Sequence, residues 1–261
     1  MQSTPELTDA AVARLARRQL EDYDARRPGT VFAERSAPLS EKDGYRIQLA
    51  TTRLRRSRGE SVAGFKIGCV SDAIQTQLGV ENPVFGHVYR SEIRASPATL
   101  PAGDFCQLGI EGEFAVTLSR DVDDLERLSQ EPSRYVASVL PVIELHNFVF
   151  RGPKPYAGEL IANNALNAGI VVSRRRSDRA GCGRLRIDVA ISDRVSDSAE
   201  VDPCNFLHAL SSRLEAHGIR PRKGDLLLTG SPLPLYLVEP GDSIHVVCDG
   251  LAEVSATVTP D

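Results

Sequence analysis

A chain of 261 residues, 25% charged and 41% hydrophobic, is sized for one substantial core with room for an appended helical piece. A formal net charge of −4 gives no electrostatic reason to expect nucleic acid or an anionic membrane as partner, and no apolar stretch approaches a bilayer span. Met1-Gln-Ser-Thr-Pro-Glu-Leu7 lacks the basic start and apolar core of a secretory signal, and cysteines 69, 106, 182, 204 and 248 form no Cys-x-x-Cys pair, so a cytoplasmic chain with reduced thiols is expected.

Residues 1–60 read as a helical region. Thr8 is placed to cap a helix whose apolar face carries Val12, Leu15, Leu20 and Tyr23 and which stops before Pro28-Gly29. Ser40-Glu-Lys-Asp43 resembles a capping box and opens a second helix through Ile47, Leu49 and Leu54, fraying at Ser57-Arg-Gly59. From residue 61 short β-like runs dominate, at 62–67, 113–118, 139–145, 168–173, 184–191, 225–229 and 243–248, with a last one near 252–258. Two helices interrupt them. One is expected near 131–139 after Glu131-Pro132-Ser133, and one at 205–217 with Leu207, Leu210 and Leu214 at helical spacing and Gly218 as its stop. The class predicted is α+β, with a rolled or barrel-like mixed sheet in 61–261 as the catalytic domain. The basic runs Arg53-Leu-Arg-Arg-Ser-Arg58 and Arg174-Arg-Arg176 read as solvated faces, and His208 and His217 as ordinary helix residues. Asp121-Val-Asp-Asp124 lacks the glycine and closing glutamate of a calcium-binding loop and reads as a solvated turn.

The chemistry concentrates in Gln107-Leu-Gly-Ile-Glu-Gly-Glu-Phe-Ala-Val-Thr-Leu118. Glu111 and Glu113 are one residue apart in a strand, so both side chains project from the same face. Two carboxylates so placed need a cation or a shared proton. A hard divalent ion answers that need and keeps waters for substrate oxygens to displace. Glu144 closes the apolar run Val139-Leu-Pro-Val-Ile-Glu-Leu145 and offers a third acid. In Gly64-Phe-Lys-Ile-Gly68, Lys66 lies in a short apolar strand between two glycines that permit close approach of another segment or a ligand. A lysine buried there must be paired or used. The plainer alternatives are solvated strand glutamates and a Lys66 that merely pairs with one of them.

These motifs, in order, resemble the 2-oxopent-4-enoate hydratases, in the hydratase and decarboxylase branch of the fumarylacetoacetate hydrolase superfamily. The resemblance runs through Gly64-Phe-Lys-Ile-Gly68, Asn82-Pro-Val-Phe-Gly86, Ile110-Glu-Gly-Glu-Phe-Ala115, Glu144-Leu145, Ile161-Ala-Asn-Asn-Ala165, Lys223-Gly-Asp-Leu-Leu-Leu-Thr-Gly230 and Pro240-Gly-Asp-Ser243. It covers nearly the whole chain. It implies a mixed β-roll core behind N-terminal helices, a homo-oligomer, and Mg²⁺ or Mn²⁺ held by Glu111, Glu113 and Glu144. It further implies catalytic roles for Lys66 and Glu111, and substrate-binding positions at Phe85, Asn163, Asn164 and Leu166. The reaction implied is addition of water to a 2-hydroxydienoate or 2-oxo-enoate after a metal-stabilised enolate. Lys66 would either transfer a proton or hold the substrate carboxylate.

The chain departs from the hydratase pattern around this site. Val84 stands where the family usually has aspartate, and Asn163-Asn164-Ala165-Leu166 replaces an Asp-Asn-Ala-Ser stretch, losing an acid and a hydroxyl. Asn147, Phe148 and Val149 replace small, polar and arginine residues after Glu144. A related metal-dependent decarboxylase or tautomerase, and a non-catalytic partner of a related pathway enzyme, are the alternatives. Carbon–carbon hydrolysis would need a water-activating base. His87 and His146 are the nearest histidines in sequence, but they read as polar loop or strand-end residues.

Overall fold

Thr8 and Ser40 cap the first two helices as their positions predict. Each side-chain oxygen accepts from the backbone three residues on, at Ala11 and Asp43, which satisfies a donor the helix itself leaves open. The helices are α1 (Asp9–Asp24) and α2 (Glu41–Ser57), in a computed structural model that describes residues 6–27, 38–149, 157–173, 182–248 and 250–261. The Pro28-Gly29 stop and the Arg174–Arg176 run lie outside the described residues. In chain order there follow β1 (Val62–Gly68), α3 (Asp72–Leu78), β2 (Val84–Tyr89), β3 (Ile93–Ala95), β4 (Ala98–Pro101) and β5 (Leu108–Leu118). Then come α4 (Leu125–Gln130), β6 (Val136–Asn147), α5 (Ala157–Ala162), β7 (Asn167–Val172), β8 (Leu185–Ile191) and β9 (Val195–Val201). The described chain closes with α6 (Leu207–Ala216), β10 (Leu226–Leu228), β11 (Tyr236–Leu237), β12 (Ser243–Cys248) and β13 (Val254–Thr259).

The strands form two sheets. The larger runs β2-β1-β10-β5-β6-β7-β3 with β11 added on β5, and it is mixed: β1 pairs parallel with β10, β3 parallel with β7, and the rest are antiparallel. The smaller runs β4-β13-β12-β8-β9. The whole is the α+β arrangement expected, a mixed sheet with helices at the N-terminus. The two sheets meet over Gly112, where a Cβ would collide with Val189 of β8, so this glycine sets how closely they pack. Alternation then sends Ile110, Phe114 and Val116 into the main core, and Glu111, Glu113 and Ala115 to the other face.

Helices α1, α2 and α5 share a small core of Val12, Leu15, Ala16, Ile47, Ala50 and Ala162. Helix α2 is tied to β2 by Gln48, which donates to Phe85 O at 3.0 Å and to Ile161 O at 2.9 Å, and by Tyr45, which stacks on Phe85 at 4.9 Å.

Three expectations are corrected. No helix forms over 131–139. Pro132–Arg134 makes one 3-10 turn, and from Val136 the chain joins β5, pairing from Leu118↔Val136 to Leu108↔Asn147. The β-branched Val136, Val139 and Val142 suit that long ladder better than a helix. The hairpin β8–β9 adds a strand the sequence hid, because Val-Ser-Asp-Ser-Ala-Glu-Val is too polar to read as one. At the open end of that hairpin Cys182 and Cys204 are joined in a disulfide, Cα to Cα 5.6 Å, where reduced thiols were expected. A pairing across 22 residues has no local spacing signal. Cys69, Cys106 and Cys248 remain thiols. No helix among the described residues is long and apolar enough to cross a membrane.

Candidate active site

Two adjacent strands build the acidic cluster. Glu111 on β5 lies directly opposite Glu144 on β6, with Glu113 two residues along one strand and His146 two along the other, so strand alternation brings all four to one face. Lys66 reaches them from β1. Its Nζ lies 3.2 Å from Glu144 Oε1, and Gly68 leaves the space its head group fills, since a Cβ there would sit 3.1 Å from Nζ. Gly64, the other glycine of the motif, lets β1 press against the backbone of Leu226.

The supports are specific. Asn167 Nδ2 donates to Glu144 Oε1 at 2.8 Å, and Gly230 N donates to Glu113 Oε1 at 3.1 Å. Gly230 follows β10 with φ +85°, a conformation suited to glycine, and this turn is what Lys223-Gly-Asp-Leu-Leu-Leu-Thr-Gly230 encodes. His146 Nε2 lies 2.9 Å from Glu111 Oε2 and 3.5 Å from Glu144 Oε2. The angles are not those of hydrogen bonds, however, and both His146 nitrogens lack a partner, as do Glu113 Oε2 and Glu144 Oε2.

The electrostatics follow from burial and crowding. Glu113 and Glu144 are 0% exposed and Lys66 is 3% exposed. Burial, then the charges of Glu144 and Glu111, hold Glu113 well above the usual carboxylate range. Burial opposes ionisation of Glu144 as well, but Lys66, His146 and the Asn167 hydrogen bond prevail and hold its pKa down. Burial disfavours the Lys66 ammonium, yet Glu144, Glu111 and Glu113 together outweigh it and raise its pKa. Without a cation, burial and crowding favour the neutral form of Glu113 and the charged forms of Glu144 and Lys66.

A divalent cation fits this set of donors. Glu111, Glu144 and His146 each offer a ligand atom, all within 4.8 Å of one another, and Glu113 and Glu144 each aim an oxygen with no protein partner. Carboxylate-rich sets of this kind suit Mg²⁺ or Mn²⁺. The cluster opens into a cleft of about 740 Å³, whose walls include Lys66, Glu111 and His146 at the polar end and Val84, Phe148, Leu166 and Phe206 elsewhere.

The other sequence-derived positions separate. Leu166 lines the cleft. Phe85, Asn163 and Asn164 are not among its lining residues. Phe85 is wholly buried against Tyr45, and Asn163 accepts from Gln19 Nε2 at 3.1 Å and donates to Glu159 O at 2.9 Å. Asn164 grips β2 like a missing strand, accepting from His87 N at 2.7 Å and donating to His87 O at 2.8 Å.

The two histidines read as loop or strand-end residues part company. His87 is buried within β2, and His217 caps the end of α6 and packs on Tyr45 and Phe85. His146, next to the last residue of β6, faces the acids. Its spacing of two from Glu144 is the same signal that paired Glu111 with Glu113. Asn167 carried no comparable signal, since only the β6–β7 register brings it to Glu144.

Residues 80–259 match the model of the fumarylacetoacetate (FAA) hydrolase C-terminal family. The chain is 30% identical over 222 residues to a 2-keto-4-pentenoate hydratase of Burkholderia vietnamiensis, covering 82% of this chain and 85% of that one. It is 26% identical over 249 residues to a 2-hydroxyhexa-2,4-dienoate hydratase of Comamonas testosteroni, covering 91% and 94%. Among solved structures, the 4-oxalocrotonate decarboxylase of Pseudomonas putida G7, complexed with magnesium and adipate, superposes with a TM-score of 0.88. It has 21% identity, with 98% of this chain and all of that one covered, a likeness of fold.

Proposed function

Because the chain belongs to the fumarylacetoacetate hydrolase family, we propose that it is a divalent-metal-dependent hydro-lyase that adds water to a 2-hydroxydienoate or 2-oxo-enoate. The observation that carries this reading is the convergence of Glu111, Glu113, Glu144 and Lys66 on one sheet face at the end of a cleft, with carboxylate oxygens left unpartnered. Relatives named as hydratases and fold neighbours complexed with magnesium or Mn²⁺ support it. In this reading Glu111, Glu113 and Glu144 hold Mg²⁺ or Mn²⁺, which supplies Lewis-acid stabilisation of negative charge on the substrate's 2-oxygen.

The chain's own groups do the rest. Lys66, whose Nζ lies beside the acids at the polar end of the cleft, is placed to hold the substrate carboxylate. Glu111 is the acid most open to the cleft, its side chain 21% exposed, and His146 stands against it. This pair is placed to take a proton from the dienol or from the incoming water and return it to carbon. The oxygen of water adds to the distal carbon of the double bond and its proton ends on the neighbouring carbon. The apolar walls exclude competing water. Homo-oligomeric assembly and a cytoplasmic location belong to the same proposal.

A decarboxylase is the second reading. Val84 and Leu166 place apolar groups on the cleft wall, and loss of carbon dioxide requires the same charge stabilisation but no positioned water. Mass spectrometry of 2-hydroxydienoate and 2-oxo-diacid substrates with protein and Mg²⁺, beside a chelator control, separates the two. Metal-dependent gain of one water establishes the hydratase, and loss of carbon dioxide the decarboxylase. No change in any substrate overturns both.

A further inference from the structure

Resting on the reading of a divalent-metal site at Glu111, Glu113 and Glu144, we propose that His146 is a further ligand, through Nε2. Its imidazole turns an all-oxygen site into one that favours a first-row transition ion over Mg²⁺. The resemblance read from sequence implies the three carboxylates alone. In this cluster, however, the residues that bring ligand atoms within 4.8 Å of one another are Glu111, Glu144 and His146. Two donors on adjacent positions of one octahedral ion, each about 2.1 Å from it, stand about 3 Å apart. His146 Nε2 lies 2.9 Å from Glu111 Oε2 and 3.5 Å from Glu144 Oε2, close to that separation. Neither contact is a hydrogen bond.

The flanking strands keep the imidazole for this role. Opposite it on β5 stands Gly109, where Leu235 and Phe148, both apolar, lie against the place a Cβ would take. Opposite it on β7 stands Asn167, which gives its amide to Glu144 Oε1 instead. Lys66 approaches that same Oε1, so Glu144 Oε2, beside His146, is the oxygen without a partner. Glu113 is arranged alike, with Oε1 accepting from Gly230 N and Oε2 unpartnered. Leaving a nitrogen buried and unpaired in a side chain only 3% exposed costs free energy, which a bound cation offsets. A neutral imidazole offers one lone pair, and that is what a metal takes. Mg²⁺ keeps to oxygen ligands, whereas imidazole suits transition ions, whose affinity for a given site rises from Mn²⁺ to Co²⁺. With Mg²⁺ on the acids, His146 stays beside Glu111 to share in proton transfer. With Mn²⁺ or Co²⁺ it is held by the metal, and proton transfer falls to Glu111.

Pulsed electron paramagnetic resonance of the full chain, stripped with chelator and reloaded with Mn²⁺, tests this without turnover. Electron spin echo modulation from the wild type should show the nitrogen-14 coupling of a ligated imidazole. The coupling should vanish in His146→Gln and in His146→Val, each checked for folding by circular dichroism. Isothermal titration supplies a second readout. Both variants should lose roughly tenfold or more in Co²⁺ affinity and less than about threefold in Mg²⁺ affinity. Mn²⁺ bound with no nitrogen coupling in the wild type, or coupling that persists in both variants, overturns the ligand role and leaves the acids as the metal site. Equal losses for Co²⁺ and Mg²⁺ overturn the preference that His146 is held to confer. Failure of Mn²⁺, Co²⁺ and Mg²⁺ alike to bind the wild type sinks the metal-site reading, and this one with it.

Discussion

Lys66 and Glu144 form an ion pair shut away from solvent, Nζ to Oε1 3.2 Å, on neighbouring parts of one sheet face. Such a pair is expensive to bury and more expensive to break. Lys66→Met leaves Glu144 with the Asn167 amide as its hydrogen-bond donor and no ammonium to hold it ionised. The expected loss is about 3–5 kcal/mol in chemical denaturation with chelator present. Saturating Mg²⁺ should shrink that loss, because a cation bound by the acids replaces the missing positive charge. An equal loss with and without metal would argue against a metal at these acids.

Glu113→Gln separates metal binding from folding. Burial and its acidic neighbours favour the neutral form of Glu113, and the amide reproduces that form while its oxygen can still accept from Gly230 N. Metal-free stability should therefore change by less than about 1 kcal/mol. The stabilisation that Mg²⁺ or Mn²⁺ gives the wild type, about 2.7 kcal/mol at a hundredfold excess over Kd, should largely vanish. Thermal unfolding across a metal titration reads both quantities. Retention of the full metal-dependent shift would exclude Glu113 as a ligand.

Much of this arrangement was legible because strand alternation is a strict rule. Glu111 and Glu113 share a face wherever they lie in a strand, and Thr8 and Ser40 announce their helices by local chemistry alone. What the sequence concealed depends on register between strands far apart in the chain. Asn167 reaches Glu144 only because β7 pairs with β6, and Cys182 meets Cys204 only because a polar strand folds back along β8. Asn163 and Asn164, expected as substrate-binding residues, are not among the residues lining the cleft, for a related reason. A polar side chain near a site can serve the backbone as readily as a ligand, and here Asn164 spends both ends of its amide on His87.

That clamp gives a third expectation. Asn164→Ala removes both partners of the His87 backbone groups in a part-buried setting and frees the left-handed backbone of Asn164, Ala165 and Leu166. Each unsatisfied group costs about 1–3 kcal/mol, so a loss of roughly 2–4 kcal/mol is expected. Asn164→Asp, which retains the acceptor and loses the donor, should fall between wild type and alanine. Hydrogen exchange at the His87 amide should rise in the alanine variant more than at Phe65, its partner across the sheet. Unchanged protection at His87 would show the clamp to be dispensable.

His87 supplies a pH signature of the fold. Burial first, then the charge of Arg56, pushes its imidazole from 6.5 down to about 3, against a lesser opposing pull from the Asn164 hydrogen bond. The folded chain therefore holds it neutral while the unfolded chain protonates near 6.5. Above that value neither state binds the proton, and the contribution to stability is fully present. As pH falls from 6.5 towards 3 the unfolded state alone gains the proton, so stability declines by up to about 1.4 kcal/mol per pH unit from this residue. His87→Gln, which can still meet Thr52, removes the titrating group. The difference in unfolding free energy between wild type and variant should be flat above pH 6.5 and slope steadily below it. A difference that stays constant down to pH 4 would mean that His87 is reached by water and protonated within the folded chain.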